Sequence, residues 1–114
     1  MMKLLTRELE ERFAAVGSQQ NVADSIVVAK FFNPVGEGTW FATEYDPDHR
    51  MFFGFVSIFG DHSDESGYFS LDELEQYRGP LGLGIERDLH WDEKRLSEAK
   101  LALYGPSEAG MRAA

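Results

Sequence analysis

The sequence predicts an α+β fold, in which an antiparallel sheet of about four to five strands packs against two to three helices. One observation is a block of three β-rich segments joined by short turns of Asn, Pro, Asp and Gly, a pattern typical of an antiparallel meander. The other is a pair of amphipathic segments with recognisable helix caps, one before this block and one after it. We expect these two helices to cover the same face of the sheet.

The first predicted helix spans residues 6–16. Thr6 is placed to cap its N-terminus, and Gly17 is placed to end it. Charged residues alternate with apolar ones at helical spacing, the apolar ones being Leu5, Leu9, Phe13 and Val16. A loop is expected over residues 19–25.

The three predicted strands of the meander span residues 25–32, 39–45 and 51–59. The first and the third are apolar on both faces, which indicates that both sides of the sheet are covered. Asn, Pro and Gly between the first two strands predict a hairpin. The polar, acidic residues 60–67 predict a loop after the third strand.

The second predicted helix starts after Ser70, which forms a capping box with Glu73, while Phe69 and Leu74 form the matching hydrophobic staple. Gly79, followed by a proline, ends this helix. Alternating apolar and polar residues over 83–90 then predict a fourth strand with one solvated face, and residues 94–103 predict a shorter helix.

Length and composition predict one domain over residues 1–104, followed by a disordered tail over residues 105–114. The chain contains no cysteine, so disulfides, thiolate nucleophiles and cysteine-based zinc sites are excluded. The N-terminal residues lack the apolar core of a signal peptide, and no run of apolar residues is long enough to cross a membrane. These features predict a cytoplasmic protein that does not bind a membrane.

The formal net charge is -9, and no Lys or Arg occurs between Arg50 and Arg78, a stretch rich in Asp and Glu. Nucleic-acid-binding proteins neutralise phosphates with clustered Lys and Arg, whereas the basic residues of this chain are scattered. We therefore expect a protein partner rather than a nucleic acid, because an acidic surface can dock a basic one.

Five segments carry a family resemblance: MKLLT at residues 2–6, VVAKFFNPVGEGTWFATE, FFGFVSIFGD, YFSLDELEQYRGPLGLGIERDLHW, and LSEA at residues 96–99. In these segments, which span most of residues 2–99, the chain resembles the bacterial family DUF2958, a domain of unknown function. The resemblance implies a small single-domain protein of a kind found among the genes of plasmids and other mobile elements. It implies no activity and brings no catalytic residues with it.

The predicted strand 83–90 carries the strongest candidate for chemistry. Glu86, Asp88 and His90 lie two residues apart, so their side chains should project to one side at steps of about 6.6 Å. Two carboxylates and an imidazole suit a divalent metal or a general acid and base pair. The competing interpretation is the solvated face of a half-buried strand, where polar residues are expected in any case.

Arg87 lies on the apolar side of the same predicted strand. A guanidinium there needs a partner, and the expected one is the carboxylate of Glu44, Glu73 or Glu75. The alternative is that Arg87 binds an anionic ligand and serves with Glu86, Asp88 and His90 as a catalytic residue.

Other motifs are weaker signals. Gly79, Gly82 and Gly84 lie between a helix and a strand, which favours a tight connection over a phosphate-binding loop. The loop residues His49 and His62, the latter near Asp61 and Asp64, are expected to be solvated rather than metal-bound. Exposed aromatic side chains would mark a partner site, and the candidates are Trp40, Phe41, Tyr45, Tyr68 and Trp91.

From these observations the first hypothesis is a non-enzymatic interaction or regulatory module that acts for a plasmid or mobile element and needs no cofactor. The alternative is a metal-dependent hydrolase or nuclease, with a divalent ion held by Glu86, Asp88 and His90. The first acts through acidic and aromatic surfaces and predicts an uninterrupted negative patch without a cleft. The second predicts a concave pocket around these three residues.

Overall fold

The computed structural model describes residues 3–58 and 64–105. The helices within these residues are α1 (Arg7–Val16), α2 (Leu71–Gln76) and α3 (Leu96–Tyr104), with one 3₁₀ turn at Pro80–Gly82. The strands are β1 (Ile26–Val27), β2 (Ala29–Phe32), β3 (Thr39–Asp46), β4 (Met51–Ser57), β5 (Glu65–Ser70), β6 (Glu86–Arg87) and β7 (Lys94–Arg95). Most of the predicted tail, residues 106–114, lies outside the described residues.

The main sheet has five strands in the order β5-β4-β3-β2-β6, and all its pairings are antiparallel. A second, two-stranded antiparallel sheet joins β1 to β7. The predicted α+β class and the predicted antiparallel meander of β2, β3 and β4 are therefore confirmed.

Both faces of the main sheet are covered. One face packs against α1 and α2 through a core that includes Phe13, Phe31, Phe52, Leu71 and Leu74. The other face packs against α3 through a smaller core of Val27, Phe41, Phe55 and Ala99. The predicted common face of the first two helices is confirmed, and the apolar residues on both sides of β2 and β4 are explained by these two layers.

Local capping signals determine where the first two helices begin. The Thr6 side chain accepts a hydrogen bond from the amide of Leu9 at 3.2 Å, and Gly17 ends α1 with a φ of 68°. The Ser70 hydroxyl accepts from the amide of Glu73 at 3.1 Å. Both caps are as predicted, since each depends on residues only three positions apart.

The predicted strand 25–32 is divided at Val28. Residues 26–27 pair with β7, while residues 29–32 pair with β3 and β6. The division occurs because β1 diverges from β3, and the side-chain amide of Gln19 lies between them, donating to the carbonyls of Ile26 and Thr43 at 2.8 Å each.

The predicted loop over residues 60–67 is wrong in its second half. Residues 65–70 form β5, which pairs with β4 and places Phe69 opposite Phe52 and Tyr68 opposite Phe53. Aromatic pairs across the strands favour this pairing, which the acidic composition of the segment conceals. Residues 59–63, which include the end of the third predicted strand, lie outside the described residues.

The predicted strand 83–90 is also wrong in its extent, because only Glu86 and Arg87 form β6. The amide of Asp88 still donates to the carbonyl of Lys30 at 2.9 Å, but the Asp88 carboxylate then accepts from the amide of His90 at 2.9 Å. This side-chain turn replaces the next strand pairing and ends the strand.

The third helix begins at Leu96 rather than at residue 94, since Lys94 and Arg95 form β7. Its N-terminus is capped from outside the helix. The Asp24 carboxylate accepts from the Ser97 amide at 3.0 Å and from the Ser97 hydroxyl at 2.6 Å, and these bonds lower the pKa of Asp24.

Candidate functional site

The residues predicted to form a metal or acid–base site are placed in two groups. Glu86 pairs with Phe32, and Asp88 lies opposite Lys30, so both carboxylates belong to the sheet face covered by α3. His90 lies beyond the strand in an exposed turn. The three side chains therefore do not follow one another along a single strand face.

The Asp88 carboxylate has neighbours within the protein. One oxygen accepts from the His90 amide, and the other lies 3.9 Å from the Lys30 ammonium nitrogen. Among residues 3–58 and 64–105, no group of three or more His, Asp or Glu side chains is arranged to hold a metal ion.

Arg87 lies opposite Phe31 and is half-buried on the face covered by α1 and α2. Within the described part of the chain, the ion pairs do not join Arg87 to Glu44, Glu73 or Glu75. Glu75 instead lies 3.3 Å from Arg50. The expected pairing with these three carboxylates is therefore wrong.

His49 forms a local pair with Asp46, with 2.7 Å between the Nδ1 and Oδ2 atoms. The hydrogen bond to Asp46 raises the pKa of His49 above its ordinary value of 6.5, and it lowers the pKa of Asp46. Both side chains are well exposed. His62 and Asp61 lie outside the described residues.

Asp64 connects two elements of the fold through hydrogen bonds. Its carboxylate accepts a hydrogen bond from the Ser57 hydroxyl at 2.8 Å and another from the Tyr104 hydroxyl. These bonds join the end of α3 to the end of β4. A shallow cavity of about 350 Å³ lies beside Ser57, bordered by Lys30 and Thr39.

A second cavity lies on the opposite face, between α2 and the hairpin of β2 and β3. It has a volume of about 360 Å³ and an apolar wall formed by Trp40, Leu74, Tyr77 and Ile85, with Ile58 at its edge. We call this cavity the α2 groove. It combines an apolar lining with a few polar groups, as binding sites for ligands commonly do.

The groove depends on a close contact after α2. Tyr77 is the C-terminal cap of α2, and its own backbone is extended. The ring of Tyr77 lies against Gly79. A Cβ atom at Gly79 would lie 2.8 Å from the Tyr77 hydroxyl oxygen. Glycine at this position therefore allows the aromatic ring to stay at the groove.

Residues 79–84, which we call the leucine loop, continue from the groove. The loop is closed by hydrogen bonds from the Gly79 amide to the Leu83 carbonyl at 2.8 Å and from the Gly82 amide to the Gly79 carbonyl at 3.0 Å. At its tip, Leu81 adopts the left-handed conformation, with φ 63° and ψ 13°, and 91% of it is exposed. Leu83 and Tyr77 are each 40% exposed beside it.

Some of the acidic side chains around α2 form ion pairs, and others do not. Arg50 lies 2.8 Å from Asp72 and 3.3 Å from Glu75, and the bond to Asp72 raises the pKa of Arg50. Glu73, together with Glu37 of the hairpin, borders the groove. Neither takes part in an ion pair within residues 3–58 and 64–105.

The groove and the leucine loop were not predicted as a site from the sequence. The aromatic residues named as partner-site candidates behave differently from one another: Tyr68 is 67% exposed, Trp40 lines the groove, and the Trp91 indole donates to the Val27 carbonyl at 3.0 Å. The signal that was available is the Pro-Leu-Gly sequence, which places a leucine where a polar turn residue is usual.

Comparisons with known proteins give a family but no activity. No curated protein and no solved structure matches the chain. Across the described residues, no helix is both long enough and apolar enough to traverse a lipid bilayer. The model of the family described as "Protein of unknown function (DUF2958)" matches residues 4–104. The match covers most of the chain, and the protein therefore belongs to the DUF2958 family.

Proposed function

We propose that this protein is a non-enzymatic interaction module that binds another protein through the α2 groove and the leucine loop. The proposal includes a regulatory role for a plasmid or other mobile element, since the family resemblance implies a protein found among the genes of such elements. It also includes a cytoplasmic location, with which the lack of cysteine is compatible.

Leu81 is the observation that carries the proposal. A left-handed backbone costs a residue with a Cβ atom roughly 1–2 kcal/mol. Leu81 recovers little of this cost by burial, since 91% of it is exposed. Strained residues concentrate at functional sites, and a large apolar side chain held out on a closed loop is suited to insertion into a partner.

The surroundings of Leu81 support the same surface. Tyr77 and Leu83 extend the exposed apolar area, and Tyr77 connects it to the groove. Aromatic side chains are enriched at the centres of protein interfaces. A groove beside a protruding apolar side chain offers a partner both a cavity to fill and a side chain to enclose.

The alternative, a metal-dependent hydrolase or nuclease using Glu86, Asp88 and His90, has less support. Asp88 is engaged by Lys30 and by the His90 amide, and His90 lies in a turn beyond β6. The alternative stays a hypothesis, and a metal titration tests it.

The test of the proposal is a selection of displayed random peptides against the immobilised full chain, followed by binding measurements with the selected peptides. We expect Leu81→Gly to weaken their binding about thirty-fold, which corresponds to the loss of roughly 2 kcal/mol that defines an interface hot spot. The variant should keep its melting temperature, because glycine accepts the left-handed conformation without strain.

Leu101→Gln is the matched control, since Leu101 is 45% exposed but lies on α3 at the opposite face. Its affinity for the selected peptides should equal that of the wild type. Peptides that bind Leu81→Gly as tightly as wild type, or whose NMR shift changes fall outside the groove and the loop, would contradict the proposed surface.

A further inference from the structure

We infer that the segment recognised by the α2 groove is cationic as well as apolar, with a bulky apolar side chain adjacent to at least one Lys or Arg. This inference rests on the proposed function, because it specifies the chemistry of the partner for the same surface.

The apolar part of the recognition follows from the lining. Trp40, Leu74 and Ile85 form the wall of a cavity of about 360 Å³ that is open to solvent beside Tyr77. This volume is near the lower end of the range for ligand sites, so it suits the side chains of a short segment rather than a large cofactor. Filling the cavity with an apolar side chain removes this wall from water.

The cationic part follows from the carboxylates of Glu37 and Glu73. Both border the groove, and neither forms an ion pair in the described parts of the chain. The neighbouring acidic side chains on α2 differ, since Asp72 and Glu75 both lie within ion-pair distance of Arg50. Two uncompensated carboxylates beside an apolar wall favour a partner that brings positive charge.

Two cations of the neighbouring segments, Arg78 and Lys30, have contacts with other groups. The Arg78 guanidinium donates through Nη1 to the carbonyls of Glu75 and Tyr77 at the end of α2. Lys30 lies 3.9 Å from Asp88 on the other face of the sheet, where it borders the first cavity together with Glu37. The net charge of -9 for the whole chain also disfavours an acidic peptide or a nucleic acid as the partner.

The experiment uses the selected peptides and counterparts in which each Lys or Arg is replaced by Gln. Both peptides are titrated into the wild type, Glu37→Gln and Glu73→Gln, at low and at high salt. Glu98→Gln is the control, because Glu98 is an exposed carboxylate in the first turn of α3 on the other face.

We expect the selected peptides to carry Lys or Arg next to a bulky apolar residue. Each Glu→Gln change should weaken the binding of a basic peptide about three-fold at low salt, with a smaller effect at high salt. The same changes should leave the affinity of the Gln counterpart unaltered, and Glu98→Gln should affect neither peptide.

Three results would overturn the inference in distinguishable ways. In the first, the selected peptides shift the groove resonances but lack basic residues, and they bind Glu37→Gln and Glu73→Gln as tightly as the wild type. This result would refute the cationic partner and leave the proposed function standing. Groove resonances that shift with the concentration of the protein alone, together with a doubled mass in sedimentation, would show that a second copy of this chain is the occupant. Peptides that leave the groove resonances unchanged would refute the proposed function as well.

Discussion

The side chain of Gln19 pairs with the backbone of Ile26 as a neighbouring strand would. Its amide nitrogen donates to the Ile26 carbonyl at 2.8 Å, and its amide oxygen accepts from the Ile26 amide at 2.7 Å. The same nitrogen donates to the carbonyl of Thr43 at 2.8 Å. Gln19 is 5% exposed, so it satisfies backbone groups that water would not reach where β1 diverges from β3.

Replacing Gln19 with alanine should therefore destabilise the fold. The change leaves three backbone groups without their partner, and we expect the free energy of unfolding to fall by about 2–4 kcal/mol. Urea denaturation followed by circular dichroism measures this. Gln20→Ala is the control, because Gln20 is exposed, and its midpoint should match the wild type. Equal midpoints for both variants would show that the amide of Gln19 contributes nothing to stability.

Gly54 on β4 should not tolerate a side chain. A Cβ atom there would lie 1.8 Å from the Phe41 carbonyl oxygen, which is backbone and cannot move aside without breaking the pairing of β3 with β4. We expect Gly54→Ala to lower the free energy of unfolding by about 3 kcal/mol or more, or to prevent folding.

Gly67 on β5 is the matched control for Gly54, since nothing lies within 4 Å of a Cβ atom at that position. Gly67→Ala should melt within a few degrees of the wild type. Thermal melts of the two variants provide the comparison, and similar losses in both would show that strand glycines matter here for a reason other than the contact with Phe41.

The interaction between His49 and Asp46 should make the free energy of unfolding depend on pH. The pKa of His49 is raised by Asp46, so its contribution is fully present below the ordinary value of 6.5 and is lost as pH rises through the raised pKa. The pKa of Asp46 is lowered, so its contribution is present above 3.8 and is lost as pH falls through the lowered value.

NMR titration of the His49 ring measures this effect directly. Its midpoint should decrease in Asp46→Asn, because the hydrogen bond to a carboxylate is the largest cause of the raised pKa. An unchanged midpoint in Asp46→Asn would contradict the pairing. Asp48→Asn is the control, since Asp48 has a smaller effect on His49 and should move the midpoint less.

The metal hypothesis has its own test. Titration of labelled protein with Mg²⁺, Mn²⁺ and Zn²⁺ should produce no saturable shift confined to Glu86, Asp88 and His90, because Asp88 is engaged by Lys30 and His90 lies beyond the strand. Localised shifts that saturate at low metal concentration, and that disappear in Asp88→Asn, would move the hydrolase hypothesis ahead of the interaction module.

The sequence alone was sufficient for the features that depend on near neighbours. The caps at Thr6 and Ser70 join residues three positions apart, and the turn residues between β2, β3 and β4 specify a meander within a few positions. These local signals predicted α1, α2, the antiparallel sheet and the α+β class, and the family resemblance was visible in the same segments.

Only the tertiary structure decided the features that depend on residues far apart in the chain. The split of the first strand at Val28 requires Gln19 and Thr43, and β5 is a strand because Phe69 meets Phe52 of β4. The α2 groove exists because Trp40 of the hairpin and Tyr77 at the end of α2 line the same cavity. Such contacts are determined by packing between elements, which propensity and periodicity along the chain do not encode.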